Sequence, residues 1–167
     1  MEKNKGMTLV ELIVVIGIMG VVVALVGLSF VAVSRQRISS AASDVKGQFQ
    51  TAQTIALSKD DCYVKIEKDS DEVVFTTYSN AEKKLDTCVI DKRIEVRIYG
   101  KDPDHPIDLS AGPIIIKYIR QTGGFETPTR NGTELSEGKI TSIVFGNGSR
   151  EIVLQLNKAT GKVTYKQ

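Results

Sequence analysis

The chain has 167 residues, with 22 Lys and Arg against 20 Asp and Glu, one His and two Cys. That length holds one modest soluble domain beside a membrane segment. A net charge of +2 with no dense basic stripe argues against a dedicated nucleic-acid binder, and a single histidine leaves little for histidine-dependent catalysis. The charge is uneven along the chain: residues 1–34 sum to zero, 35–59 to +3, 60–112 to −5 and 113–167 to +4.

Residues 1–6, Met-Glu-Lys-Asn-Lys-Gly, form a charged leader with no apolar content. From Leu12 to Val33 the only polar side chain is Ser29, an apolar run long enough to cross a bilayer as a helix. Just inside its leading edge sits Glu11, a lone carboxylate that is costly at such depth and calls for a partner. The run is too long for the apolar core of a conventional signal peptide. Ala32-Val33-Ser34 offers a small-x-small cleavage triplet, but cutting there would discard Glu11 with the whole run. Lys3 and Lys5 on one flank face Arg35, Arg37 and Lys46 on the other, so charge counting leaves the orientation open.

The helical pattern continues past the run. Ile38, Ala41 or Ala42, Val45, Phe49, Ala52, and Ile55 or Ala56 recur at three- and four-residue steps, a narrow apolar stripe suited to core packing. No proline interrupts residues 7–59, so one helix is predicted across them.

After Asp60-Asp61 the period changes to two. Strands are predicted at 62–68, 73–78, 94–99, 114–119, 140–145, 152–156 and 162–165, with Asp69-Ser-Asp71 and Asn147-Gly148 as hairpin turns. Residues 100–113 and 123–132 carry the turn-forming Gly, Pro and Asx residues of long loops. One long helix followed by seven short strands is an α+β chain with a β-rich head.

Candidate chemistry is sparse. Asp102, Asp104, His105 and Asp108 lie close enough to ligate a hard cation, but they match no EF-hand spacing and read as a solvated turn. Gly123-Gly124 lacks the strand-to-helix context of a phosphate loop. Asn131 and Asn147 begin glycosylation-type triplets, yet Asn-Gly is what a tight turn demands. No convergent acid, base and nucleophile indicates catalysis, and no residue set indicates a cofactor or a metal. If the part beyond the apolar run lies outside the cytoplasm, Cys62 and Cys88 are predicted to form a disulfide worth roughly 3 kcal/mol; two reduced, half-buried thiols are the alternative. Lys158, Lys162 and Lys166, with Arg130 and Arg150, form a basic C-terminal set that would bind DNA in a salt-sensitive way, or simply face solvent from antiparallel strands.

Lys5-Gly6-Met7-Thr-Leu-Val-Glu11-Leu-Ile-Val-Val-Ile resembles the class III leader and N-methylation motif of type IV pilins and pseudopilins. The resemblance covers about the first quarter of the chain. It implies cleavage after Gly6 by a membrane-bound prepilin peptidase, N-methylation of Met7, a cytoplasmic leader and a head outside the inner membrane. It also implies other pilin subunits as partners, with Glu11 facing the N-terminal amine of a neighbour in a filament.

A weaker likeness concerns the head. Ala42-Ser-Asp-Val-Lys-Gly-Gln48-Phe-Gln-Thr-Ala52-Gln53-Thr-Ile-Ala56 and Thr160-Gly161-Lys162-Val163 are similar to segments of H-type minor pseudopilins and their pilus counterparts. Cys62 and Cys88 do not sit near the C-terminus as the disulfide of major pilins does, and Gly27-Leu28 stands where many pilins have a proline. The cysteine placement implies a minor subunit or a divergent lineage. The expected organisation is a leader at 1–6, a transmembrane and filament-core helix at 7–34, its amphipathic continuation at 35–59 and the head at 60–167. The alternatives are a DNA-binding minor subunit and a signal-anchored adhesin head that does not polymerise.

Overall fold

The computed structural model describes residues 8–58, 61–79, 82–136, 138–148 and 150–166; within the helix, the side chains of 25–34 are outside that description. Gly6, Met7 and the leader lie outside the described residues, as do Lys59 and Asp60 at the expected end of the helix. The chain divides into two compact units, Met1–Arg37 and Ile38–Gln167, and helix α1, Leu9–Leu57, contributes residues to both.

In the first unit, every described helix residue from Leu9 to Ala24 is exposed, Leu9 by 74% and Val23 by 71%. Apolar residues point in all directions because the sequence has no polar face to offer there. Among the described residues no helix is long and apolar enough to cross a membrane. The apolar run at 12–33 extends over positions 25–34, whose side chains are outside the description.

In the second unit, the stripe predicted from spacing is the buried face of the helix. Ile38, Ala41, Ala42, Val45, Phe49, Ala52 and Ala56 are buried. They share one apolar core with strand residues such as Val64, Ile66, Phe75, Ile114 and Ile143.

Among the described residues ten strands follow: β1 Cys62–Asp69, β2 Glu72–Ser79, β3 Lys84–Ile90, β4 Glu95–Tyr99, β5 Ile114–Lys117, β6 Thr129–Arg130, β7 Thr133–Glu134, β8 Ser142–Gly146, β9 Glu151–Leu156 and β10 Val163–Tyr165. They form two antiparallel sheets, ordered β3-β2-β1-β5-β6-β7 and β10-β9-β8-β4. The fold is therefore α+β and pilin-like, an N-terminal helix with exposed apolar residues joined to antiparallel sheets.

Seven of the strands answer to the predicted ones, with ends shifted by up to two residues. Three were not predicted. β3 is a charged edge strand whose Lys84, Leu85 and Asp86 are all exposed, so its inward alternation is masked. Such charges blunt an edge against unwanted pairing. β6 and β7 are two-residue strands, β6 inside the predicted 123–132 loop and β7 just past it, turned by Asn131 and Gly132, both at positive φ.

The predicted Cys62–Cys88 disulfide is not formed; both residues are thiols. Cys62 on β1 pairs with Ser79 of β2, whereas Cys88 on β3 pairs with Phe75 of β2. β2 thus runs between the two cysteine strands, which sit roughly 9.5 Å apart at the usual strand spacing, with a further offset along the strand. A disulfide needs its Cα atoms within about 7 Å, so the sheet itself forbids this one.

Candidate functional site

The N-terminal site begins where the helix does. Thr8 precedes the first helical residue, its carbonyl accepts the first helical bond from Leu12 N (3.1 Å), and its Oγ1 accepts from Glu11 N at 3.3 Å. In return, Glu11 Oε2 accepts from Thr8 N at 2.9 Å and from Thr8 Oγ1 at 3.0 Å. This is a capping box: a Thr and a Glu three residues on satisfy each other's backbone donors at a helix start. The carboxylate, read from the sequence as lacking a partner, has one inside its own chain. Both bonds from Thr8 end on Oε2, and the whole arrangement is exposed. The Thr-x-x-Glu spacing was the available signal for it.

A second constellation ties the helix to the head. Gln53 Nε2 donates to Gly123 O (3.1 Å) and Thr160 O (2.6 Å), joining two loops distant in sequence. Those loops also meet directly, through Phe125 N to Lys158 O at 2.8 Å. A Cβ on Gly161 would overlap the Gly123 carbonyl oxygen, and one on Gly124 would lie 2.7 Å from the carbonyl oxygens of Lys158 and Ala159. Gly161 and Gly123 also hold φ of 66° and 67°. Only glycine permits both the backbone conformation and the approach. Asn157 closes its own turn, its Oδ1 accepting from Ala159 N and Thr160 N. Alongside, the Tyr118 hydroxyl donates to Phe49 O at 2.6 Å, and burial raises the pKa of that phenol. Gly123-Gly124 and Thr160-Gly161 are therefore two halves of one packing contact. Nothing in the sequence signals that Gln53 joins them.

The remaining candidates are placed as follows. Lys158 donates to Thr127 Oγ1 (3.2 Å) and Gly138 O (3.3 Å), so its ammonium is committed to two loops; Lys162 and Lys166 are exposed on either side of β10. Asp102 accepts from Asp104 N and lies 2.9 Å from His105 Nδ1, and these bonds hold its carboxyl below the usual range. Asp108 caps the short turn Leu109–Ala111 by accepting from Ser110 N, which lowers its pKa likewise. Among the described residues no group of three or more His, Cys, Asp or Glu is arranged to hold a metal ion. Burial, with smaller contributions from the carboxylates of Asp44 and Asp86, pushes the Cys88 thiol up to about 11.

Comparison with known families bears on the N-terminal stretch. Residues 1–27 match the prokaryotic N-terminal methylation motif. No curated protein and no solved structure matches the chain. The motif takes in Gly6, Met7, Thr8 and Glu11 together with the start of α1. The chain is thus a pilin-like protein with a class III signal motif, and that motif implies processing by a prepilin peptidase, membrane anchoring and assembly with pilins. Proteins bearing it are in general structural rather than enzymatic.

Proposed function

We propose that the chain is a minor pilin or pseudopilin, a structural subunit of a type IV pilus or a type II secretion-like pseudopilus. In this reading residues 1–6 are removed after Gly6, Met7 becomes the N-methylated N-terminus, and 7–34 anchor the subunit in the inner membrane with the head outside. Segment 35–59 is the amphipathic part of the helix that serves the head, 60–167. The observation that carries the reading is the methylation motif running into a helix whose residues 12–24 are apolar on every side.

Glu11 then has two successive partners. In the single subunit it is held by Thr8. In a filament the amine of a neighbouring Met7 would take the carboxylate oxygen that Thr8 leaves unused. A charge-assisted pair inside a dry helix bundle is stronger than the same pair in water, and it fixes axial register. Losing one member leaves a buried charge uncompensated.

The test is to co-express the chain with a prepilin peptidase and weigh the product. The expected product begins at Met7 and carries one added methyl group; a mature protein still beginning at Met1 would sink the reading. Separately, Glu11→Ala is expected to be processed but to assemble poorly. Filaments formed as readily as by the parent chain would remove the register role.

A further inference from the structure

The second sheet ends at β4, and one side of that strand faces a groove of about 630 Å³. The groove runs along Lys92–Arg97, walled opposite by residues 106–110 and by the β1–β2 hairpin at Lys68, Asp71 and Val73. Its volume lies within the range of binding clefts.

The backbone along this groove is unpaired in a defined way. Tyr99 O accepts from Thr141 N, so the polar groups of Tyr99 face β8, and Arg97 and Glu95 follow by the two-residue alternation. Ile98 O instead accepts from Ile107 N at 2.7 Å, which shows that the intervening residues turn their polar groups towards the groove. The loop occupies only that end of the edge, with Tyr99 bridged to Pro106. By the same alternation Val96 offers both N–H and C=O to the groove, with no strand beside it.

The side chains lining the groove have a bias of their own. Glu95 pairs with Arg97 at 3.4 Å, and Asp108 is taken up by Ser110 N. Lys68 and Lys92 enter no ion pair among the described residues, and Arg93 has only a long contact to Asp91 (3.9 Å). With Arg97 they give the lining four basic residues against Asp71, Glu95 and Asp108, and Lys68 lies near enough to Asp108 to act on its carboxylate. Apolar contact is supplied by Val73, Ile94, Ile107 and Leu109, all buried or nearly so.

We infer that the β4 edge and its groove form a docking site for an extended acidic segment of a partner protein, which adds as a strand beside Val96. Main-chain bonds to a free edge supply affinity, and alternate side chains supply specificity. Acidic residues of the segment meet Lys68, Lys92 and Arg93 along the groove. This inference does not depend on the filament reading above; it rests on the second compact unit alone.

The probe is the acetylated hexapeptide Val-Glu-Val-Glu-Val-Thr carrying a fluorescent label, titrated against the full chain in detergent micelles. Saturable binding is expected, with slowed hydrogen exchange at the Val96 amide. Val96→Pro removes only a donor that faces the groove, a position where proline is tolerated. It should weaken binding about tenfold while leaving the far-UV spectrum and melting temperature near those of the parent. Lys92→Glu should weaken binding further and reverse the preference towards a peptide with Lys in place of Glu. Should Val96→Pro not fold, the same peptide with alternate amides N-methylated replaces it, and binding should be lost in one of the two methylation registers. No binding of the probe, no protection at Val96, or equal binding of both N-methylated registers would each overturn the inference.

Discussion

The two stretches of α1 follow opposite rules. Apart from Glu11, the helix from Leu9 to Ala24 is apolar on every side, and every described side chain is exposed. From Ile38 to Leu57 a single stripe is buried while Ser39, Ser40, Ser43, Asp44 and Gln50 face water. One is a helix made for surroundings that the single chain does not supply; the other finishes its packing within its own unit. The difference teaches that stability and assembly are written into separate residues and should respond to separate mutations. The largest expected effect tests this directly. Phe49 is fully buried and meets Phe125 edge-on at 6.0 Å, so Phe49→Ala should cost about 3–5 kcal/mol in urea unfolding of the head. Val14→Ala, at a half-exposed position, should change the same transition by less than about 0.5 kcal/mol. A Val14 effect comparable with that of Phe49 would break the comparison.

Much of this separation is legible in the sequence, and the reasons are physical. The switch from an unbroken apolar run to a 3.6-residue stripe at Ile38 follows from periodicity alone, as do most of the strands. Periodicity fails where side chains do not report burial. β3 is an edge strand carrying charge, and β6 and β7 are too short for any period to develop. The cysteine pairing fails for another reason: an even count and a compartment carry no information about β2 lying between two strands. Glu11 is the instructive case. Its spacing from Thr8 is a capping signature, but an acid within an apolar run draws attention to a distant partner before the nearest one.

The next effects concern the contact between the two loops and the helix. Gly161→Ala requires an alanine at a φ of 66° with its methyl group on the Gly123 carbonyl oxygen, so a loss of about 2–3 kcal/mol is expected in thermal or urea melting. Gln53→Ala removes two side-chain bonds without disturbing the backbone and should cost about 1–2 kcal/mol. If the glycine packing and the glutamine act as one unit, the double variant should lose less than the two single losses together. Strict additivity would mean that Gln53 merely sits beside the contact. In either case the first stretch of α1 should be indifferent, and processing after Gly6 should proceed as in the parent chain.

The effect of Cys88 ionisation on stability is absent at neutral pH and shows only in alkali, yet it separates the two cysteines sharply. Its thiol is pushed up to about 11 by burial and by Asp44 and Asp86, against an ordinary value near 9. The folded state therefore holds its proton more tightly than the unfolded chain. The stabilisation is fully present below about pH 9 and is lost as pH rises through about 11, so the unfolding midpoint should drift downwards across that window. Only the thiolate reacts readily with alkylating agents, so iodoacetamide at pH 8 should modify folded Cys88 far more slowly than an unfolded control. Cys62, buried at the start of β1, should be slower still. After unfolding without reductant both should titrate as thiols, because β2 keeps them apart while the head is folded. Asp44→Asn supplies the control that sharpens this reading. It removes one of the two carboxylates and leaves the apolar stripe intact, so Cys88 alkylation should quicken while the melting temperature stays put. An unchanged rate would mean that burial and Asp86 protect the thiol without Asp44.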